Sequence, residues 1–491
     1  MKIKELKLIS YIYIILPIII FLLGFLKPIF SIPITIVLCI ILYKLFYMYK
    51  KEDSLFVEKN DIIFILFFAF IICIFAGHGK FFYQSSDYTI RNAVFRDLVT
   101  FKWPVYYKNN TALSYYIGQW MVPSLIGKLF SFLNPESAFM KANMALLIWN
   151  AIGVTLSILW VIKITNSQKK YEKFICFLVF LFFSGLDIIG ATIFGELHNS
   201  IHDMHLEWWG EYFQYSSMIT QLFWVFNQCI VPWITTLMFF DEKRVNNYVL
   251  LIVITLPYGP IPSVGLAMLL FIRGIIVLIK SLKNREIRSF IKDVFSMQNI
   301  LTLILILPFF YFYYFSNAAV QGDSNGGGGF SIISELFSKK NIFSEILFWL
   351  LEVGVYGIVL FRKHKKDILF YYVLFILIII PFFGIGYQYD FSMRASIPLL
   401  VIVDLWVVEY LIELINSKKN SYHLIILIVL LCVGLVTPFF EFYRGINYFT
   451  NNIYNESADS QVTLDTDDEG MSNFVVRSPK EKSIFYKYFA K

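Results

Sequence analysis

Apolar residues run along this chain in long blocks, and polar residues collect in short breaks between them. A helix that crosses a bilayer needs about 20 mostly apolar residues. Thirteen segments meet or approach that length: 8–26, 31–48, 61–78, 141–163, 173–194, 218–240, 246–257, 262–280, 298–316, 342–361, 367–386, 395–415 and 421–440. The pattern predicts an all-α polytopic membrane protein with about 13 transmembrane helices. The pair at 246–280 is interrupted by "PYGPIP" and reads either as two short helices or as one re-entrant hairpin. Broken helices at membrane depth are tolerated where they line a cavity. The chain carries no internal repeat.

The breaks alternate in charge. "KIKELK", "YKKEDSLFVEK", "KITNSQKKYEK", "DEKR", "SLKNREIRSFIKD", "RKHKK" and "NSKKN" are basic. With thirteen spans and a cytoplasmic N-terminus, all seven fall on the cytoplasmic side, as the positive-inside rule requires. The other connections then face outward: 79–140, 195–217, 317–341, 387–394 and an extracytoplasmic C-terminal tail. The expected division is a transmembrane domain over 1–440 and a small tail over 441–491. The second half of 79–140 is amphipathic and aromatic, which predicts interfacial helices lying along the membrane surface. "MKIKELK" and the apolar run after it lack a small-residue cleavage site and read as a retained first span.

Composition narrows the class further. Of 491 residues, 58% are hydrophobic and 16% charged, too apolar for a soluble chain of this length. The net charge of +7 sits in short loops between spans, so it reports topology and implies no nucleic acid. The implied partner is the lipid bilayer of a plasma or inner membrane. The five cysteines lie in apolar stretches without a CxxC pair, and read as core residues. "GDSNGGGGFS" lacks a Lys-Ser/Thr after its glycines, which leaves a flap or linker in place of a phosphate-binding loop.

The polar residues worth weighing for chemistry lie in the outward connections. "HNSIHDMHLEWWGEYFQYSS" holds three of the six histidines within eight positions. On a helix, His198, His202, His205 and Trp209 share one face, and Glu196, Asp203, Glu207 and Glu211 the other. The three imidazoles could bind a divalent metal; the alternatives are an acidic, sugar-facing surface or a plain interfacial helix. Asp87 opens the first large outer loop, followed by Arg91, Arg96 and Asp97. A carboxylate there suits a general base, and the arginines suit a phosphate; an Asp87–Arg91 pair on a helix is the plainer reading. "YQYDFSMRASIP" repeats the spacing with Asp390 and Arg394, either an ion pair capping a helix or an anion clamp. Trp103, Tyr106, Trp120, Trp208, Trp209 and Trp224 are either sugar-stacking platforms or an interfacial belt.

With "SSDYTIRNAVFRDLVTFKWPVYY", "LSYYIGQWMVPSLIGKLF", "EWWGEYFQYSSMITQLFWVFNQCIVPWI" and "DFSMRASIP", the chain resembles the GT-C superfamily of polytopic glycosyltransferases. More narrowly it is similar to bacterial relatives of dolichyl-phosphate-mannose-protein mannosyltransferases, as architecture over roughly 60–440. The resemblance implies a sugar donor on a polyprenyl phosphate, a glycan or lipid acceptor on the same outer side, and an acidic base early in the first outer loop. By position that base is Asp87. Donor-phosphate contacts fall to Arg91, Arg96 and Arg394, and acceptor contacts to Glu196, Asp203, Glu207, Trp208, Trp209 and Asp390. Many members have two adjacent acidic residues where this chain has "SSD", so Asp97 or Glu196 is left for the second role. No cofactor is required, with a divalent ion at His198, His202 and His205 as the option.

Three rival readings remain. A polymerase or ligase of lipid-linked glycans would share this architecture. A lipid-linked-glycan flippase or transporter needs charges inside the spans; Asp187, Glu345, Glu352, Asp404 and Glu409 lie in or near them, most close enough to an end to read as interfacial. A non-catalytic scaffold would tolerate single polar substitutions.

Overall fold

The computed structural model describes residues 2–3, 6–49, 55–132, 134–195, 205–210, 213–318, 320, 330–332, 339–385, 390–417, 422–451, 461–465 and 473–491. It is a bundle of helices, and each of the thirteen apolar segments overlaps a helix among the described residues. Nine helices among the described residues are long and apolar enough to cross a membrane. The other four segments depart from that pattern for visible reasons. Lys59–Phe75 is 17 residues. Val245–Thr255 and Ile368–Phe382 are shorter apolar helices. Ile397–Asn416 has the length, but it carries Asp404, Glu409 and Glu413.

Local chemistry sets the helix starts. Asn134 caps Pro135–Ile164, its side chain accepting from the Ser137 N–H, with Pro135 at the first helical position. Ser217 caps Met218–Asp241 in the same way, accepting from Thr220 N–H at 3.0 Å. "PYGPIP" resolves into a short helix Tyr248–Thr255 and a long one, Pro260–Lys283, begun by Pro260 after Gly259. Gly265 lets that long helix approach the backbone of the next functional segment: a Cβ there would meet the Ala395 carbonyl oxygen at 2.0 Å.

The first outer connection is more deeply packed than its amphipathic pattern suggests. Tyr88–Thr100 and Gly118–Ser131 are its helices. Gly118 N–H donates to Pro257 O at 2.8 Å, and Gln119 reaches Asn150 in the neighbouring long helix at 2.6 Å. Its C-terminal end, with Leu129, Phe130 and Phe132 exposed, keeps an outward apolar surface.

The C-terminal residues belong to this same body. Thr111–Leu113 pairs antiparallel with Val475–Arg477, with Ala112 opposite Val476. Lys491 N–H donates to Phe25 O at 2.9 Å. Residue 440 lies inside the helix Val436–Thr450, so the chain has no break there.

The bundle has two unlike ends. At the C-terminus of Met218–Asp241, Asp241 meets Lys163 at 2.8 Å and Lys7 at 3.3 Å, both from basic connections or their edges. Lys173–Asp61 and Lys363–Glu413 are similar pairs, at 2.7 and 2.8 Å. The N-terminus of the 24-residue helix Met218–Asp241 lies about 36 Å away at 1.5 Å per residue. That span exceeds the roughly 30 Å of a hydrocarbon core.

Candidate active site

A cavity of about 250 Å³ lies at that N-terminal end, lined by Asp87, His205, Trp208, Gln214, Ser216, Thr220, Trp224, Val225, Asp390, Met393 and Arg394. It gathers three of the separate sequence stretches singled out for chemistry. Asp87 sits at the N-terminus of Tyr88–Thr100 and Asp390 opens Asp390–Ala395. Each is followed four residues later by its arginine, which a helix places on the same side.

The two pairs are built alike. Arg91 Nη2 donates to Asp87 Oδ2 at 2.7 Å; the guanidinium is buried while the carboxylate is 41% exposed. Arg394 Nη1 pairs with Asp390 Oδ1, and the carboxylate is again the more exposed partner. Burial works against the charge on both arginines, and the adjacent aspartates outweigh it, so both pKa values stand above the ordinary value. The phenols of Tyr115 and Tyr116 act on both guanidiniums, and Arg394 acts on Arg91 as a like charge. The arginines thus converge although they come from distant parts of the sequence. Arg91 Nη1 and Arg394 Nε are buried and find no hydrogen-bond acceptor among the described residues.

The opposite wall is aromatic. His205 stacks on Trp208 with ring centres 5.2 Å apart and lies 5.0 Å from Trp224. Behind it, Trp224 Nε1 donates to Glu441 Oε2 at 3.1 Å and the Arg444 guanidinium covers the indole at 4.7 Å. Burial, then the charge of Arg444, pushes the His205 pKa well below its ordinary value. His205 Nε2 also lies 3.9 Å from Glu441 Oε1.

The described part of the histidine stretch is not one amphipathic face. Leu206–Gly210 is a single 3₁₀ segment, and it sends Trp208 and Trp209 to different places. Trp208 is on the cavity wall. Trp209 is buried, donating to Asp187 Oδ1 at 3.1 Å and packed against Gly190. Glu207 is buried below the cavity. It accepts from Ser217 N–H at 2.8 Å and from Gln214 Nε2 at 3.0 Å, so it fixes the start of the helix that carries Thr220 and Trp224. Burial first, then the Asp187 carboxylate, raises its pKa to about 8.

Other expected site residues lie elsewhere. Arg96 points to Val462 O at 3.4 Å and over the Phe139 ring. Asp97 accepts from Tyr107 OH and Leu464 N–H, both at 2.9 Å, and ties the tail to the first outer connection. Glu196, His198, His202 and Asp203 lie outside the described residues, as does Glu211. Among the described residues, no group of three or more His, Cys, Asp or Glu is placed to hold a metal ion.

Three of the span carboxylates are packed inside the protein. Asp187, Glu352 and Asp404 are buried, at 2% exposure or less. Asp187 accepts from Thr437 Oγ1 at 2.8 Å and Ser184 Oγ at 3.2 Å. Beside it, Glu352 packs tightly against Gly185.

Sequence reasoning also passed over Gln214, Ser216, Thr220 and Met393, all on the cavity wall. Gln214 and Ser216 stand inside the very stretch examined for histidines, where neutral polar residues drew no notice beside charged ones. Compared with known proteins, the chain matches no family model, no curated protein and no solved structure.

Proposed function

We propose that the chain is a membrane-embedded, inverting glycosyltransferase of GT-C type, with about thirteen spans and its cavity on the extracytoplasmic side. The donor is a sugar on a polyprenyl phosphate, and the acceptor a hydroxyl of a cell-envelope glycan or lipid. The observation that carries this reading is the convergence of Asp87 with Arg91, and Asp390 with Arg394, on one cavity with an aromatic wall. The acceptor oxygen attacks the anomeric carbon and gives its proton to Asp87. The bond from that carbon to the phosphate oxygen breaks, and the electron pair leaves on the lipid phosphate. Arg394, with Arg91 beside it, stabilises that growing charge in a site where few other donors compete.

Three features support the details. The basic connections gather at the far end of Met218–Asp241, which under the positive-inside rule puts the cavity outward. At about 250 Å³ the cavity lies just under the usual range of about 300–1,000 Å³ for small-molecule sites, which favours transfer of one sugar over a growing polymer. Asp87 is exposed enough to meet an acceptor, while its arginine is not.

The test is mass spectrometry of lipid-linked sugars and surface glycans in a strain lacking the gene. The strain is complemented with wild type or with Asp87→Asn at equal expression. We expect Asp87→Asn to match the deletion, with a sugar missing and its lipid donor accumulated. Full restoration by Asp87→Asn would remove Asp87 as the base.

One observation favours a transporter as the second reading. Both carboxylate oxygens of Asp404 are buried with no hydrogen-bond partner among the described residues, and intramembrane acids of this kind often mark ion pathways. Movement of a lipid-linked sugar across the bilayer without covalent change would decide for it.

A further inference from the structure

Gln214 is buried on the cavity wall, 3% exposed, and its amide nitrogen is fully engaged. One N–H goes to Glu207 Oε2 at 3.0 Å and the other to Ser216 Oγ at 3.1 Å. These acceptors are themselves held. Glu207 is fixed by the Ser217 N–H, and the Ser216 carbonyl accepts from Gln221 Nε2 at 2.8 Å. Gln221 in turn accepts from Trp233 Nε1 at 2.8 Å. An amide has two donors and two acceptor sites. Here both donors are used, and the carbonyl oxygen, Gln214 Oε1, is buried with no partner among the described residues.

A buried carbonyl without a donor is costly unless something supplies one. Among the residues lining the same cavity the complementary orphan is Arg394 Nε, a buried donor without an acceptor among the described residues. The pair describes a ligand that brings an anionic oxygen to the arginine and a hydroxyl to the glutamine. A phosphate-linked sugar has both; a bare lipid phosphate has only the first.

We propose that Gln214 is the residue that reads a sugar hydroxyl, so that the cavity distinguishes a glycosylated lipid phosphate from the same lipid phosphate without its sugar. This rests on the transferase reading above. Glu207 and Ser216 are positioning residues that aim the carbonyl, and they touch no ligand themselves in this role. A site built to meet a hydroxyl rejects a ligand that lacks it, because its own polar group is then left unpaired.

The test uses purified full-length protein in lipid nanodiscs and two kinds of probe. One is farnesyl phosphate. The other is farnesyl phosphate carrying glucose, mannose, galactose or N-acetylglucosamine, tried in turn. Wild type should bind at least one glycosylated probe about tenfold more tightly than farnesyl phosphate, the effect of one well-made hydrogen bond to a buried acceptor. Gln214→Met, similar in shape but without the amide, should abolish that preference and leave farnesyl phosphate binding unchanged. Gln214→Asn, which keeps an amide but withdraws it by one carbon, should do the same and serves if the methionine variant does not fold. Arg394→Gln should weaken every probe. Should both Gln214 variants keep the preference, or weaken all probes equally, Gln214 reads no hydroxyl and the proposal is overturned while the transferase reading stands. A wild type with no preference for any glycosylated probe overturns both.

Discussion

Two groups of acidic residues lie side by side at one end of the bundle and are treated oppositely. In the cavity, Asp87 and Asp390 each have an arginine four residues on and an opening to solvent. Beneath it, Asp187, Glu207 and Glu352 are buried, and none has a lysine or arginine within ion-pair distance among the described residues. Their partners are neutral: Trp209, Thr437, Ser184, Gln214 and the Ser217 N–H. The first group is arranged to hold paired charge beside an open cavity. The second is arranged to set the shape of the floor. The same side chain serves chemistry or architecture according to whether a cation and a path to water stand beside it.

The comparison breaks most sharply at Arg394. Arg394→Gln removes the cation from the cavity but leaves Asp390 partly exposed and able to hydrate. Transfer should fall by about 10²–10³ in kcat, as for the loss of one charge-stabilising donor. The thermal midpoint should barely move. A large loss of stability with little loss of transfer per folded molecule would mean that this pair, too, is architectural.

How much of this could be seen in the chain? The helices were legible, because a run of about 20 apolar residues has few alternatives in lipid. So were the Asp87–Arg91 and Asp390–Arg394 spacings, which need only helical geometry. That the two pairs share a cavity was not legible, since nothing local links residues 87 and 394. Glu207 was weighed as a sugar contact and lies under the floor; Trp209 was grouped with Trp208 and turns away from it. In both cases a one-turn 3₁₀ segment, where an α-helical face was expected, reassigned the neighbours. Gln214 carries no charge, and only the count of its hydrogen bonds makes it conspicuous.

The acid cluster can be strained without touching the cavity. A Cβ at Gly185 would stand 1.9 Å from Glu352 Oε2 and 2.4 Å from its Cδ. Glu352 is buried, and the void beside it, also lined by Ser184, Tyr215 and Ser216, is only about 10 Å³. Gly185→Ala should therefore cost about 1–3 kcal/mol as an overpacked core does, read as a lower thermal midpoint, with transfer per folded molecule retained. An unchanged midpoint would show that Glu352 moves freely and that the cluster is not a fixed floor.

The smallest signal is the most specific to the comparison. The Glu207 pKa is raised to about 8 by burial and by Asp187, against an ordinary value of 4.5. Between those values the folded chain holds a proton that the unfolded chain releases. Since stability rises with pH only where the unfolded state binds more protons, the sign here is negative. Thermal stability should fall as pH rises from about 5 to 8 and level off above that. Glu207→Gln is neutral at every pH and keeps an oxygen for the Ser217 N–H, so its midpoint should be flatter across the same window, by a few degrees. Asp87→Asn, which leaves Glu207 and its neighbours untouched, should keep the downward slope. If Glu207→Gln keeps the slope and Asp87→Asn removes it, the roles of the two acidic groups are reversed. The floor would then be the charged site and the cavity pair the scaffold.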